Sequence, residues 1–248
     1  MPKALITGAS SGIGEAIARQ LSAMGYETIL VARRKERLER LRDSLPCKSE
    51  AITADLSDMD AVVQLAKEHP DVDILVNNAG FGVYGEFTDT EFESENQMID
   101  VNIRALHYLM KAYVPLLEKK GGKILNVAST AAFFPGPLLS SYYASKAYVL
   151  RLSRAVREEL RRKKSSVNIS VLCPGPVDTE FGKVSGSNLG KGMLSAAYVA
   201  EIAVKGLMKN KAVIVPGFFM KCSAVLSKIV PESISVRILY RIQSKKKI

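Results

Sequence analysis

A tyrosine and a lysine four residues apart, Tyr142 and Lys146, stand in the run Ser141-Tyr142-Tyr143-Ala144-Ser145-Lys146, thirteen residues after Ser129. On a helix, positions four apart share one face, so phenol and ammonium come within reach of each other. That spacing has a chemical use. A free phenol has a pKa near 10, and it donates a proton to a developing alkoxide more readily where a neighbouring cation stabilises its phenolate. Each pH unit of lowering takes about 1.4 kcal/mol, which a partly buried ammonium a few ångströms away can supply. Ser129, ending the run KILNVAS, can hold a substrate oxygen beside that phenol. Tyr143 is the competing phenol, but Ala147 occupies the position where its lysine would stand. Tyrosine and lysine often sit four apart on ordinary amphipathic helices, so the weight of the pair depends on its surroundings.

The first of these is a glycine turn. The run KALIT leads into Thr7-Gly8-Ala9-Ser10-Ser11-Gly12-Ile13-Gly14, within which a helical pattern begins. Gly8 permits a tight turn, Gly12 lets backbone approach a pyrophosphate, and Gly14 allows close helix packing, while the helix N-terminus offers N–H groups to phosphate. The spacing is Gly-x-x-x-Gly-x-Gly, and a Gly-rich turn without ligand is the plain alternative. About twenty residues on, where an NAD enzyme places a carboxylate on the ribose, the chain reads Val31-Ala32-Arg33-Arg34. Forked cations without an acid suit a 2′-phosphate and select NADP(H), although both arginines could simply open the exposed face of RRKERLERLR. Ser10 either adds a hydroxyl to the same phosphate or is a turn serine. Asp55 in ITADLSD either accepts from an adenine amino group or caps the next helix, as Ser57 or Asp58 also could. In Asn77-Asn78-Ala79-Gly80, small residues let backbone lie against an adenosine, unless the asparagines are turn formers. A nicotinamide held by this site would deliver hydride to a carbonyl anchored at Ser129.

Positioning such residues requires a particular scaffold. Apolar β-branched runs (KALIT, ETILVA, SEAITA, DILVN, KILNVAS, VNISVLC, AVIVP) alternate with helix-period segments over 12–25, 34–45, 58–69, 91–119, 141–163 and 196–209. Strands without polar alternation are buried on both faces, and the intervening helices are right-handed crossovers. The expectation is a single α/β domain over residues 1–248: a doubly wound Rossmann sheet of about seven parallel strands flanked by helices, with a basic C-terminal extension over 215–248. The motifs all fall at carboxyl ends of strands, where such sheets bind ligands.

TGASSGIG, NNAG, the spacing from Ser129 to Tyr142, YYASK and Pro174-Gly175-Pro176-Val177-Asp178-Thr179 together resemble the short-chain dehydrogenase/reductase family over about residues 3–180. The resemblance implies Tyr142 as general acid/base, Lys146 as binder of the nicotinamide ribose that lowers the tyrosine pKa, and Ser129 as carbonyl anchor. It also implies that Asn102, in IDVNIRAL, holds a water linking Lys146 to solvent; without it Asn102 reads as a polar residue inside a helix. Pro174, Gly175 and Thr179 resemble the segment closing over nicotinamide, or else an ordinary strand-ending turn. The expected cofactor-binding set is Gly8, Ser10, Ser11, Gly12, Ile13, Gly14, Arg33, Arg34, Asp55, Leu56, Asn78, Ala79, Gly80, Tyr142, Lys146, Pro174, Gly175, Val177 and Thr179. No metal is expected. EFGKVSGSNLGKG, after Thr179, looks like a mobile lid.

Phe133, Phe134, Pro135, Leu138, Leu139, Phe181, Phe218, Phe219 and Met220 are candidates to line an apolar pocket, unless half of them are core or subunit contacts. An apolar ketone or secondary alcohol would suit, whether 3-oxoacyl, steroid-like or xenobiotic, and the chain resembles bacterial relatives of long-chain 3-oxoacyl and 17-hydroxysteroid reductases. A cofactor-binding regulator without turnover is the alternative, though such proteins normally lose the tyrosine or lysine. Net charge is +10, yet residues 205–248 hold ten of the 35 Lys/Arg and one of the 25 Asp/Glu, so the body is near neutral and nucleic acid is not an expected partner. From Glu232 on, Ile234, Ile238 and Ile242 form a stripe beside Arg237, Arg241 and Lys245, running into Lys246 and Lys247. Packing on the domain or a sister subunit, in a homodimer or homotetramer, is preferred to contact with a membrane surface. Cys47, Cys173 and Cys222 lack metal-ligand spacing, and the odd count with no leader points to cytoplasm.

Overall fold

Neighbouring residues on a strand point to opposite faces, and in this chain both faces are apolar, so each strand can carry helices on either side. The computed structural model describes residues 1–187 and 192–246. Its strands β1 (Lys3–Thr7), β2 (Glu27–Ala32), β3 (Ser49–Thr53), β4 (Ile74–Asn77), β5 (Gly122–Val127) and β6 (Val167–Leu172) alternate with α1 (Gly12–Ala23), α2 (Lys35–Ser44), α3 (Met59–Glu68), α4 (Phe92–Ile99) with α5 (Leu106–Lys120), and α6 (Ser140–Arg162). A short pair follows, β7 (Val177–Asp178) beside β8 (Leu194–Ser195), with α7 (Phe181–Ser185) between them; then come α8 (Ala196–Met208) and β9 (Val213–Ile214). The main sheet is parallel and seven-stranded, in the order β3-β2-β1-β4-β5-β6-β9. This is the doubly wound Rossmann-like domain expected.

Leu5, Val31, Leu75, Ile124 and Ile169 face α3, α5 and α6. Their neighbours Ile6, Leu30, Val76 and Leu125 face α1, α2 and α8. The strand order reverses between β1 and β4, which pair Leu5 with Leu75, and the crevice beyond that reversal holds the site.

Three differences from expectation bear on function. The helix read over 91–119 is broken by a π-helical turn, Asp100–Ala105, containing Asn102. The glycine-rich segment after Thr179 opens with the short helix α7 and leads to β8; its residues 188–191 lie outside the described residues, as does Lys247. The basic extension forms two helices, α9 (Phe218–Leu226), which buries no residue, and α10 (Glu232–Gln243). Ile234, Ile238 and Ile242 are 47–50 % exposed, so of the two expected packings the stripe does not adopt the one on its own domain, toward which α10 turns Ser235 and Gln243. No described helix is long and apolar enough to cross a membrane.

Candidate active site

The end of β1 and the end of β4 are laced together by side chains. Thr7 Oγ1 accepts from the Asn78 and Ala79 N–H groups at 3.0 and 3.1 Å, and Asn78 Nδ2 donates to the Thr7 and Gly8 carbonyls at 2.9 and 3.2 Å. Asn78 is thus a brace for the glycine turn. Gly8 takes φ +66°, and a Cβ there would lie 2.7 Å from Asn78 Nδ2, so the turn admits only glycine. A cleft of about 400 Å³ opens above it, within the range of small-molecule sites. Of the expected cofactor residues, all line this cleft except Gly14. Gly14 lies beneath the turn, where a Cβ would meet the Gly8 carbonyl oxygen at 2.3 Å, which is the close packing expected of it.

At the end of β2 the two arginines differ. Arg34 donates to Ser10 Oγ at 2.9 and 3.1 Å and to Ser11 Oγ at 2.7 Å, and pairs with Glu180 Oε2 at 2.6 Å. Arg37 grips the same carboxylate at 2.9 Å, and the two guanidiniums hold Glu180 down to about 2. Arg33 is more exposed and lies 3.8 Å from Asp55 Oδ2. Asp55 accepts from the Ser57 N–H and hydroxyl at 3.0 and 2.8 Å, whereas Asp58 caps α3 through Asp60 N–H. Leu56 is buried beside it against the core. Thr179 rests on the glycine turn: its methyl would lie 2.9 Å from a Cβ on Gly12.

On the other side of the cleft, Ser129 follows β5 and caps a short 3-10 turn, Thr130–Phe133. Its Oγ accepts from Ala131 N–H at 3.1 Å and donates to the Pro174 carbonyl at 3.4 Å. Tyr142 and Lys146 lie one turn apart on α6, both buried, with the ammonium 5.8 Å from the phenol ring centre. Lys146 Nζ donates to the Val127 carbonyl at 3.0 Å, and burial lowers its pKa to about 8, slightly opposed by the Cys173 thiol. Tyr142 departs from expectation. Burial raises its pKa, and the Ser129 hydroxyl pulls it partly back. The phenol therefore stays protonated at neutral pH, the form a proton donor needs.

Asn102 does not reach the cleft surface. It is 1 % exposed, its Oδ1 accepts from Phe81 N–H at 3.1 Å, and its Nδ2 donates to the Phe81 carbonyl at 2.9 Å and to Ser145 Oγ at 3.0 Å. Ser145 in turn donates to the Tyr142 carbonyl at 2.7 Å, so Asn102 ties the Gly80-Phe81 strap to the first turn of α6. A Cβ on Gly80 would meet Asn102 Oδ1 at 2.7 Å and Lys146 Nζ at 3.1 Å. The π-helical register around Asn102 turns its amide toward this strap, a use to which such turns are often put.

The substrate end is lined by Phe81, Leu139, Tyr143, Phe181, Val184 and Gln243. Only Leu139 and Phe181 were among the sequence candidates. Phe218 and Phe219 are 74 % and 81 % exposed, Phe133 packs on the core, and Met220 sits against Gly175. Leu138 is spent on the turn into α6, where it takes φ +65°. Gln243, Glu180 and Phe81 were not picked out, for no local pattern marks them.

The description of the short chain dehydrogenase family matches residues 2–189. An uncharacterized oxidoreductase of Staphylococcus epidermidis is 35% identical over 210 residues, covering 82% of this chain and 90% of that protein. A short-chain dehydrogenase from Sphingobium yanoikuyae, solved with NADPH, superposes with a TM-score of 0.82 at 32% identity, covering 88% of each chain. The bulky-bulky ketone specific alcohol dehydrogenase from Comamonas testosteroni does so with a TM-score of 0.79 at 28% identity, covering 92% of each. An oxidoreductase scaffold, a braced glycine turn and a buried Tyr142/Lys146 face thus coincide in one cleft, and the chain belongs to the short-chain dehydrogenase family.

Proposed function

We propose that this oxidoreductase is an NADP(H)-dependent carbonyl reductase, or alcohol dehydrogenase in reverse, acting on an apolar ketone or secondary alcohol. The observation that carries the reading is the placement of Tyr142, Lys146 and Ser129 on the same cleft as the Gly8–Gly14 turn. The turn fits a dinucleotide: glycine is sterically required at Gly8 and at Gly80, which leaves bare backbone on the cleft wall. When bound, the nicotinamide supplies the hydride. Ser129 Oγ holds the carbonyl oxygen, and the protonated Tyr142 gives its proton to that oxygen as negative charge develops on it. Lys146, anchored on Val127, would hold the ribose beside Gly80 and supplies positive charge over the ring of the phenol. Asn102 fixes the strap and the helix turn that bring these groups together.

Arg34 with Ser10 supports a 2′-phosphate site better than Arg33, whose side chain is the more exposed. The full chain is proposed to act in the cytoplasm as a homodimer or homotetramer, a second copy covering Phe218, Phe219 and Ile229, each more than 70 % exposed. Sedimentation tests the assembly. For the reaction, NADPH oxidation is followed by absorbance over a panel of apolar ketones, with Tyr142→Phe as control. Turnover should fall by about 10²–10⁴ in the variant while NADPH binding persists. Equal turnover in both proteins would remove Tyr142 from the chemistry.

A further inference from the structure

Gln243 ends α10 in the charged tail, between exposed residues, yet is itself 2 % exposed. Its backbone carbonyl accepts from the Tyr84 hydroxyl at 2.7 Å, which seats the end of the helix against the body. Its side chain reaches the substrate end of the cleft, where Nε2 donates to the Tyr143 hydroxyl at 2.5 Å. The other amide atom, Oε1, is buried among the described residues with no hydrogen-bond partner. A buried amide oxygen left unpaired is costly, and folded proteins rarely keep one without a use. Turning the amide over would exchange the roles: Tyr143 would donate to Oε1, and the NH₂ would be the free end. In the orientation given, the Tyr143 oxygen accepts from Gln243 and still carries a hydrogen to donate. A free acceptor and a free donor thus stand side by side, the pattern that matches a hydroxyl, which both donates and accepts.

Leu139, Phe181 and Val184 add apolar lining to the same cleft. Tyr143 is the residue next to Tyr142, with ring centres 6.2 Å apart and edge to face, and the Phe181 ring lies tilted against Tyr142 at 5.2 Å. The cleft therefore carries a second polar station besides the one at the reacting carbonyl, with apolar side chains in the lining they share. We propose that Gln243 and Tyr143 form a polar subsite for a remote hydroxyl, so that the preferred substrate is an apolar ketone bearing a second oxygen at the far end of its skeleton. The inference rests on the reading of Ser129 and Tyr142 as the carbonyl station.

The probes are 4-(4-hydroxycyclohexyl)cyclohexanone and its deoxy analogue 4-cyclohexylcyclohexanone. Each is titrated calorimetrically into the full-length protein in the presence of NADP⁺ and assayed for reduction with NADPH. The hydroxylated ketone should be favoured in binding and in kcat/KM by about ten- to a hundredfold, the range for a buried hydrogen-bonded pair. In Gln243→Leu and in Tyr143→Phe, which keeps the ring, the ratio between the two ketones should collapse toward one, through KM rather than kcat. A wild-type ratio near one would overturn the proposal. So would an unchanged ratio in both variants, or an equal loss for both ketones, which would leave Gln243 as a fastener of α10 only. Preferential binding of the hydroxylated probe with no reduction of either would sustain the subsite and sink the reductase reading instead.

Discussion

Lys146 is the residue whose stability and function should conflict most sharply. Burial lowers its pKa from 10.5 to about 8. Below pH 8 both folded and unfolded chains hold the proton, so the native state bears the whole cost of a buried ammonium, about 3 kcal/mol at about 1.4 kcal/mol per pH unit. Between pH 8 and 10.5 the unfolded chain keeps a proton that the native state has shed, so stability rises with pH through that window. Lys146→Met keeps the length and removes the charge. It also removes the donor to the Val127 carbonyl, a loss of about 1 kcal/mol, leaving a gain of about 2 kcal/mol. For a chain of this size that raises Tm by about 4–8 °C at neutral pH. Melting of both cofactor-free proteins at pH 6.5, 8 and 9.5, beside NADPH oxidation, is the assay. The variant should be inactive, most stabilised at pH 6.5, and nearly level with the parent by pH 9.5. A variant no more stable at pH 6.5, or a gap that ignores pH, would refute the argument.

Arg34→Ala should weaken NADPH by about ten- to a hundredfold with little effect on NADH, because it removes charge-assisted contacts available only to the 2′-phosphate; equal losses in fluorescence titration would dismiss Arg34 from that role. Glu180→Gln releases the clasp on Arg34 and Arg37 and should tighten NADPH alone, an effect that weaker NADPH binding in the same titration would contradict. Truncation after Pro231 should lower Tm only modestly, since Ile234, Ile238 and Ile242 are half exposed, but should raise KM for ketones, since Tyr84 and Tyr143 both lose their Gln243 partner. Unchanged ketone kinetics would count against that. Loss of salt-sensitive pelleting with anionic vesicles on truncation would instead assign the exposed isoleucines to a lipid surface.

What could be read before folding was what repeats or sits close along the chain. Strands buried on both faces show as unbroken β-branched runs, and the Tyr142/Lys146 pair shows because four residues make one helical turn. The glycines show because backbone geometry tolerates nothing else at Gly8. Contacts closed only by the tertiary fold left no such trace. Glu180 meets Arg34 across 146 residues, and Gln243 meets Tyr143 across 100. Asn102 was located only by resemblance, since a π-helical turn has no residue signature; its bonds to Phe81 and Ser145 make it a clamp first.

The raised pKa of Tyr142 has a related cause. Spacing places the ammonium beside the phenol, but burial acts on both groups at once and opposes charge on each, raising the tyrosine and lowering the lysine. At neutral pH the outcome is a protonated phenol next to a protonated, destabilised ammonium. Such a pair is poised to give a proton to an oxygen gaining negative charge, and less suited to take one from an alcohol. Reduction of a carbonyl should therefore tolerate neutral and mildly acidic pH, while alcohol oxidation should rise steeply with alkalinity as the phenol becomes able to accept. Initial rates in both directions between pH 6 and 10 measure this, and an oxidation rate flat across that range would show that burial does not govern Tyr142 once cofactor and substrate are in place.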